Sequence, residues 1–385
     1  MIAITNAKIY PVDAPVIEKG SILVEAGKIV KLGADIDIPA EAEIIDAGGR
    51  SVYPGFIDAH CHVGMMESAI GFEGDDVNEM TDPVTPHMRA IDGFNPLDIT
   101  VKEACEAGVT VAATGPGSAN PIGGTFMAVK TYGHRVDDMV IKDPLAMKIA
   151  FGENPKRVYN AKGKTPMTRM GTAAILREVF GKAVRYMQQI DRAGDDASKL
   201  PAYDAKMEAL LPVVRKQIPL KAHAHRADDI FTALRIAKEF GFDLTLDHCT
   251  EGHLIAEDLA KTGAKAIIGP SFGHKSKFEL TNKTFETPGI LARAGVKVAI
   301  MTDSPVVPLA TLPLMAGMAV QAGMDKDEAL KAITLNAAEI LGLQDRVGSL
   351  TPGKDADLCI YDGDPMEITG KSWLVMVDGK VVYKR

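Results

Sequence analysis

Cysteine is scarce. Four residues, Cys61, Cys105, Cys249 and Cys359, are scattered along 385 positions with no CxxC pair. That excludes a disulfide framework and a thiolate zinc site, and it suits a reducing compartment. Any metal would have to be held by nitrogen and oxygen. Basic charge is also short: 43 Lys and Arg against 51 Asp and Glu leave a net charge of -8, spread along the chain without blocks. No cationic footprint for nucleic acid is present. No apolar stretch approaches the ~20 residues of a membrane span, and the opening MIAITNAKIYP lacks the basic and apolar regions of a secretory signal. A cytoplasmic protein with neither nucleic acid nor membrane as partner is expected. No GxGxxG follows the first strand, so a dinucleotide site has no support.

What is present is a large apolar fraction, 46% of residues against 24% charged, enough for one big domain and a smaller one. The two ends resemble each other. SILVEAGKIVKLG near the start and WLVMVDGKVVYKR near the end each place short β-branched runs around a turn, the second at Asp378-Gly379. Neither end has the apolar surface for its own core, so residues 1–52 and 350–385 are expected to build one composite β-sandwich with the termini close together. Between them, apolar runs such as PLKAHAH, LTLDHC and VKVAIMTDSP alternate with helical patterns such as DDIFTALRIAKEFG. About eight such units predict a (β/α)8 TIM barrel over residues 53–349.

Active sites of such barrels lie at the carboxyl ends of the strands. There the sequence places His60 and His62 (in PGFIDAHCHVG), His223 and His225, His248, and Asp303. Residues i and i+2 of a strand share a face, so each His-x-His pair can point into one mouth. Singly, each histidine reads as a hydrogen-bonded structural residue. Five of the nine histidines and an aspartate at strand exits read together as a site for a divalent ion, with neutral imidazole and carboxylate as ligands.

With the ending LNAAEILGLQDRVGSLTPGKDADLCIYDGDP, this pattern resembles the amidohydrolase superfamily, in the branch of imidazolonepropionase and the metal-dependent prolidases. The resemblance implies a barrel with a terminal β-sandwich, one or two divalent metals with zinc foremost, and hydrolysis by a metal-bound hydroxide. It maps His60 and His62 onto a first metal and His223 and His248 onto a second. Asp303 would ligate the first metal and act as general acid and base. Bridging ligands in the superfamily come from the fourth strand, and AMKIAFGENPKR offers two. Alternation turns Lys148 into the barrel, where it would serve as a carboxylated lysine, while Glu153 in the following turn would need no modification. His225, Arg169 in TPMTRMG and His274 in GPSFGHKSKFE are candidates for substrate contact, Arg169 through a bidentate pair with a carboxylate.

The expected activity is cleavage of a C–N bond in a small amide, lactam or peptide. Deamination of an aminated heterocycle is the alternative within the same chemistry, and a non-catalytic scaffold the alternative outside it. The intact ligand set argues against a scaffold. The partner is a small-molecule substrate, and a homo-oligomer is allowed. Specificity is expected from the loops after the strands, including the long segment from Met65 to Asn95.

Overall fold

The computed structural model describes residues 1–68 and 71–385. Five strands open the chain: β1 (Ile2–Ile9), β2 (Ile17–Glu25), β3 (Lys28–Gly33), β4 (Glu43–Asp46) and β5 (Ser51–Pro54). Eight follow: β6 (Phe56–Cys61), β7 (Val109–Thr114), β8 (Ile122–Lys130), β9 (Val140–Ala150), β10 (Leu220–Ala224), β11 (Leu244–His248), β12 (Lys265–Ile268) and β13 (Lys297–Ile300). The chain closes with β14 (Leu358–Asp362), β15 (Lys371–Val377) and β16 (Lys380–Lys384).

The two ends form one sheet, in the order β16-β15-β14-β5-β1-β2-β3, with β4 beside β1. Residues Ile4, Ile22, Val24 and Ile29 from the start share a buried core with Leu358, Ile360, Leu374 and Met376 from the end. Each set covers what the other would leave wet. Both hairpins turn through two residues of positive φ, Ala26-Gly27 and Asp378-Gly379, as two-residue hairpins of this twist require. The turns touch, and a Cβ on Gly379 would meet the Cα of Gly27 at 2.8 Å.

The central strands lie side by side in chain order from β6 to β13. The barrel nearly closes: beyond β13, Ser304 O accepts from His62 N (2.7 Å), and Thr302 N donates to the Asp58 carboxylate (2.9 Å). This is the expected TIM barrel with a β-sandwich, with one departure. Strand β8 runs antiparallel to both β7 and β9. The connection 115–121 is too short for a crossover helix, which takes about a dozen residues, so the chain must fold straight back.

Strand alternation sorts the layers as expected. Met147 and Ile149 of β9, with Phe151 just past its end, join Leu176, Phe180 and Ala183 of the helix Arg169–Ala193 in one buried cluster. Lys148 between them points inward and is fully buried. No helix among the described residues is long and apolar enough to cross a membrane.

Candidate active site

The barrel mouth collects the predicted residues into two groups, His60, His62 and Asp303 in one and His223, His225 and His248 in the other. The second group includes His225, expected to touch substrate. Period-2 alternation brings His60 and His62, and likewise His223 and His225, to the mouth. It does not bring His248. Asp247 already points inward, so its neighbour should face the helices, but His248 adopts φ 71 and Cys249 φ 46. That left-handed step swings the imidazole back to the site. Asp303 is turned in the same way, at φ 54. Non-glycine residues pay for such backbone with strain, which concentrates at functional sites.

The rings are held from behind. Nδ1 of His62 lies 2.7 Å from Gly115 O and Nδ1 of His248 lies 2.8 Å from Gly269 O. A carbonyl only accepts, so each Nδ1 carries the proton and Nε2 presents a lone pair to the mouth. His225 Nδ1 contacts Thr250 Oγ1 at 2.7 Å. His60 Nδ1 sits 2.9 Å from Asp247 Oδ2 but out of line for a hydrogen bond. Burial keeps the imidazoles neutral: it pushes His60, His223 and His248 well below their usual range and His225 down to about 4. Neutral imidazoles backed by a carboxylate or carbonyl are metal-ligand geometry.

Asp303 Oδ1 is 3.3 Å from His62 Nε2 and 3.6 Å from His60 Nε2. Burial opposes its ionisation, but its polar and charged neighbours, the Lys148 ammonium among them, hold its carboxyl below the usual range. Lys148 Nζ is 3.2 Å from His60 Nε2 and 4.0 Å from Asp247 Oδ2. Burial lowers its ammonium to about 8, against the pull of Asp247.

Two expected residues are not brought to the site. Glu153 begins the helix Glu153–Asn160, where Oε1 accepts from Arg157 (2.6 Å) and Oε2 from Glu279 N (3.3 Å). Its own N–H donates to Glu279 Oε2 at 2.9 Å. The two glutamates cap each other's backbone and latch the loops after β9 and β12. Arg169 shares its Nε between both oxygens of the buried Asp229, at 2.9 and 3.1 Å, so its charge is already matched. His274 is exposed on the rim of the cavity.

Sequence reasoning missed Asp247, Lys221 and Glu279. The first two had a signal, being charged residues at inward register positions of β11 and β10. Lys221 Nζ donates to Ala59 O (3.0 Å) and Asp247 Oδ1 (3.3 Å). Glu279 had none, since it lies in a single 3-10 turn (Phe278–Leu280) 126 residues from its latch partner. Its Oε1 is buried, 3.6 Å from His225 Nε2 and 3.9 Å from His223 Nε2.

These groups open on a cavity of about 580 Å³ that includes Met66, Val77 and Asn78 from the long loop. Residues 69 and 70 of that loop lie outside the described residues. A larger cavity, about 820 Å³, lies on the outer face near Phe231, Leu234 and Lys261, and none of the histidines reaches it. The chemistry fits a cation at the mouth. Asp303 Oδ1 and Glu279 Oε1 are buried with no hydrogen-bond partner among the described residues, and an unmet buried acceptor costs about 1–3 kcal/mol. A divalent ion among Nε2 lone pairs and carboxylate oxygens would meet that need.

The sequence model of the Amidohydrolase family matches residues 51–382. The crystal structure of an amidohydrolase from Thermotoga maritima MSB8 superposes with a TM-score of 0.97 at 44% identity, covering 100% of both chains. Imidazolonepropionase of Paracoccus denitrificans (strain Pd 1222) is 29% identical over 92% of this chain and 90% of its own. Amidohydrolase tasK of Hapsidospora irregularis is 31% identical over 94% of this chain, which spans only 40% of that protein's length.

Proposed function

We propose, from the premise that the chain belongs to the amidohydrolase family and is a hydrolase of carbon–nitrogen bonds, that it opens an amide, lactam or peptide bond of a small molecule with metal assistance. His60, His62 and Asp303 would hold one ion, and His223 and His248, with His225 beside them, a second; zinc suits this nitrogen and oxygen set. Such an ion supplies acidified water at neutral pH and polarises the scissile carbonyl. The chain's own residues do the rest. With Oδ1 turned to the ion, the other carboxylate oxygen of Asp303 would take the proton from the nucleophile and pass it to the leaving nitrogen. The observation that carries this reading is Asp303 Oδ1, buried and without a hydrogen-bond partner beside His60 and His62.

Lys148, carboxylated, would supply the ligand between the two groups of histidines in this reading. An ammonium donating to His60 Nε2 at 3.2 Å would occupy the lone pair an ion needs, whereas loss of one proton to solvent and addition of the free amine to dissolved CO2, with release of a second proton, would turn the +1 ammonium into a −1 carbamate. The barrel would be the catalytic domain, residues 53–349, and residues 1–52 with 350–385 the sandwich. Elemental analysis of the purified protein, with a screen of N-acyl amino acids, dipeptides, lactams, imidazolonepropionate and aminated heterocycles, tests both metal and reaction. Hydrolysis with one or two ions per chain is expected. Ammonia release from a heterocycle by a protein with one ion would replace this reading with deamination, and a metal-free protein would end it.

A further inference from the structure

The cavity that His62 and Asp303 line also carries cations. Lys277 and Lys283, both from the chain after β12, line it. Neither ammonium has a carboxylate within 4.0 Å among the described residues. Their hydrogen bonds differ in a way that separates their roles. Lys283 Nζ donates to three carbonyls, of Phe272 (2.9 Å), Gly273 (2.9 Å) and His274 (3.3 Å). An ammonium has three donors, so Lys283 is saturated and fastens the loop. Among the described residues Lys277 Nζ has one partner, Asn154 Oδ1 at 2.8 Å, which leaves two donors for a ligand. Asn154 in turn places Nδ2 3.4 Å from His223 Nε2 and 2.8 Å from Ser118 Oγ. The ammonium is therefore one side-chain amide away from the histidine cluster, on a tether fixed at both ends.

We infer that Lys277 anchors a carboxylate of the substrate, so that the molecule cleaved carries an anionic group a few atoms from the reacting C–N bond. Arg169, the cation that the sequence suggested for this task, is neutralised by Asp229; Lys277 is the cation that faces the cavity with donors to spare. An ammonium donating to a carboxylate forms a charge-assisted bond, stronger than one to a neutral amide. Neutral heterocycles would leave this cation unmatched in the occupied pocket.

The inference rests on the metal reading above, and the test separates the two. The probes are two hydroxamates of one length, succinic acid monohydroxamate and its carboxamide-ended counterpart, with titration calorimetry on metal-loaded wild type, Lys277→Met and Lys277→Arg. The hydroxamate head reports the metal and the tail reports Lys277. On wild type the carboxylate tail should bind about 10- to 100-fold more tightly than the carboxamide. Lys277→Met should bring the two within about twofold while the carboxamide probe binds as before, and Lys277→Arg should restore most of the preference. Equal binding of both tails to wild type, or an unchanged preference in Lys277→Met, overturns the inference and leaves the metal reading standing. Failure of both probes to bind overturns the metal reading and the inference with it.

Discussion

Replacing Asp303 by asparagine should nearly abolish turnover and leave most of the metal in place. The carboxylate sits with Oδ1 3.3 Å from His62 Nε2 and 3.6 Å from His60 Nε2, so an amide of the same shape can still offer one oxygen there. Two histidines remain in that group, and the three of the other group are untouched. The amide has no accessible pKa and cannot ferry a proton from nucleophile to leaving nitrogen. Loss of a positioned acid–base group costs about 10²- to 10⁴-fold in rate, which is roughly 3–5 kcal/mol of barrier. Metal stoichiometry and kcat are read on the same folded preparation, with whichever substrate the screen returns. If Asp303 only shaped the loop after β13, the variant would lose stability and keep its turnover per folded molecule. An Asn variant with wild-type kcat refutes the proton-carrying role.

Lys148→Met should lower metal content by up to one ion per chain and kcat by at least about 10²-fold, because a thioether cannot bridge; retention of full metal by elemental analysis would count against the carbamate. Gly152→Ala should destabilise the protein by about 1–3 kcal/mol in urea unfolding, since Gly152 sits at φ 79 and ψ -147, a region costly for other residues. Its new Cβ would also meet Glu279 Oε2 at 2.5 Å, so an unchanged midpoint would show that the Glu153–Glu279 latch yields freely. Metal-free protein should lose stability as pH falls from about 6.5 towards 4. Buried His225 has its folded pKa lowered to about 4 against about 6.5 when unfolded. The unfolded chain therefore binds the extra proton in that window, worth on the order of 3 kcal/mol. His225→Gln should make the fall between pH 7 and pH 5, measured by thermal unfolding, shallower, with buried His60, His223 and His248 sustaining the remainder, and an unchanged fall would refute the assignment.

Local rules sufficed wherever the function depends on spacing along one strand. Two-residue periodicity brings His60 beside His62 and His223 beside His225, and turns Lys148 inward with Ile149 and Phe151 packed outside. Hairpin chemistry at Asp378-Gly379 and thin apolar content at both ends were enough to expect a shared sheet. Chain length between strands was also legible, and the short 115–121 connection could have announced the reversal of β8. What sequence spacing does not carry is a backbone that leaves its regular path or a partner distant in the chain. His248 reaches the mouth only because its φ of 71 breaks the alternation of β11. The fates of Glu153 and Arg169 were set by Glu279 and Asp229, 126 and 60 residues away. A carboxylate or guanidinium is free for chemistry only if no opposite group claims it, and that competition is settled by tertiary packing. The same competition leaves Lys277, 123 residues from Asn154, facing the cavity with donors to spare.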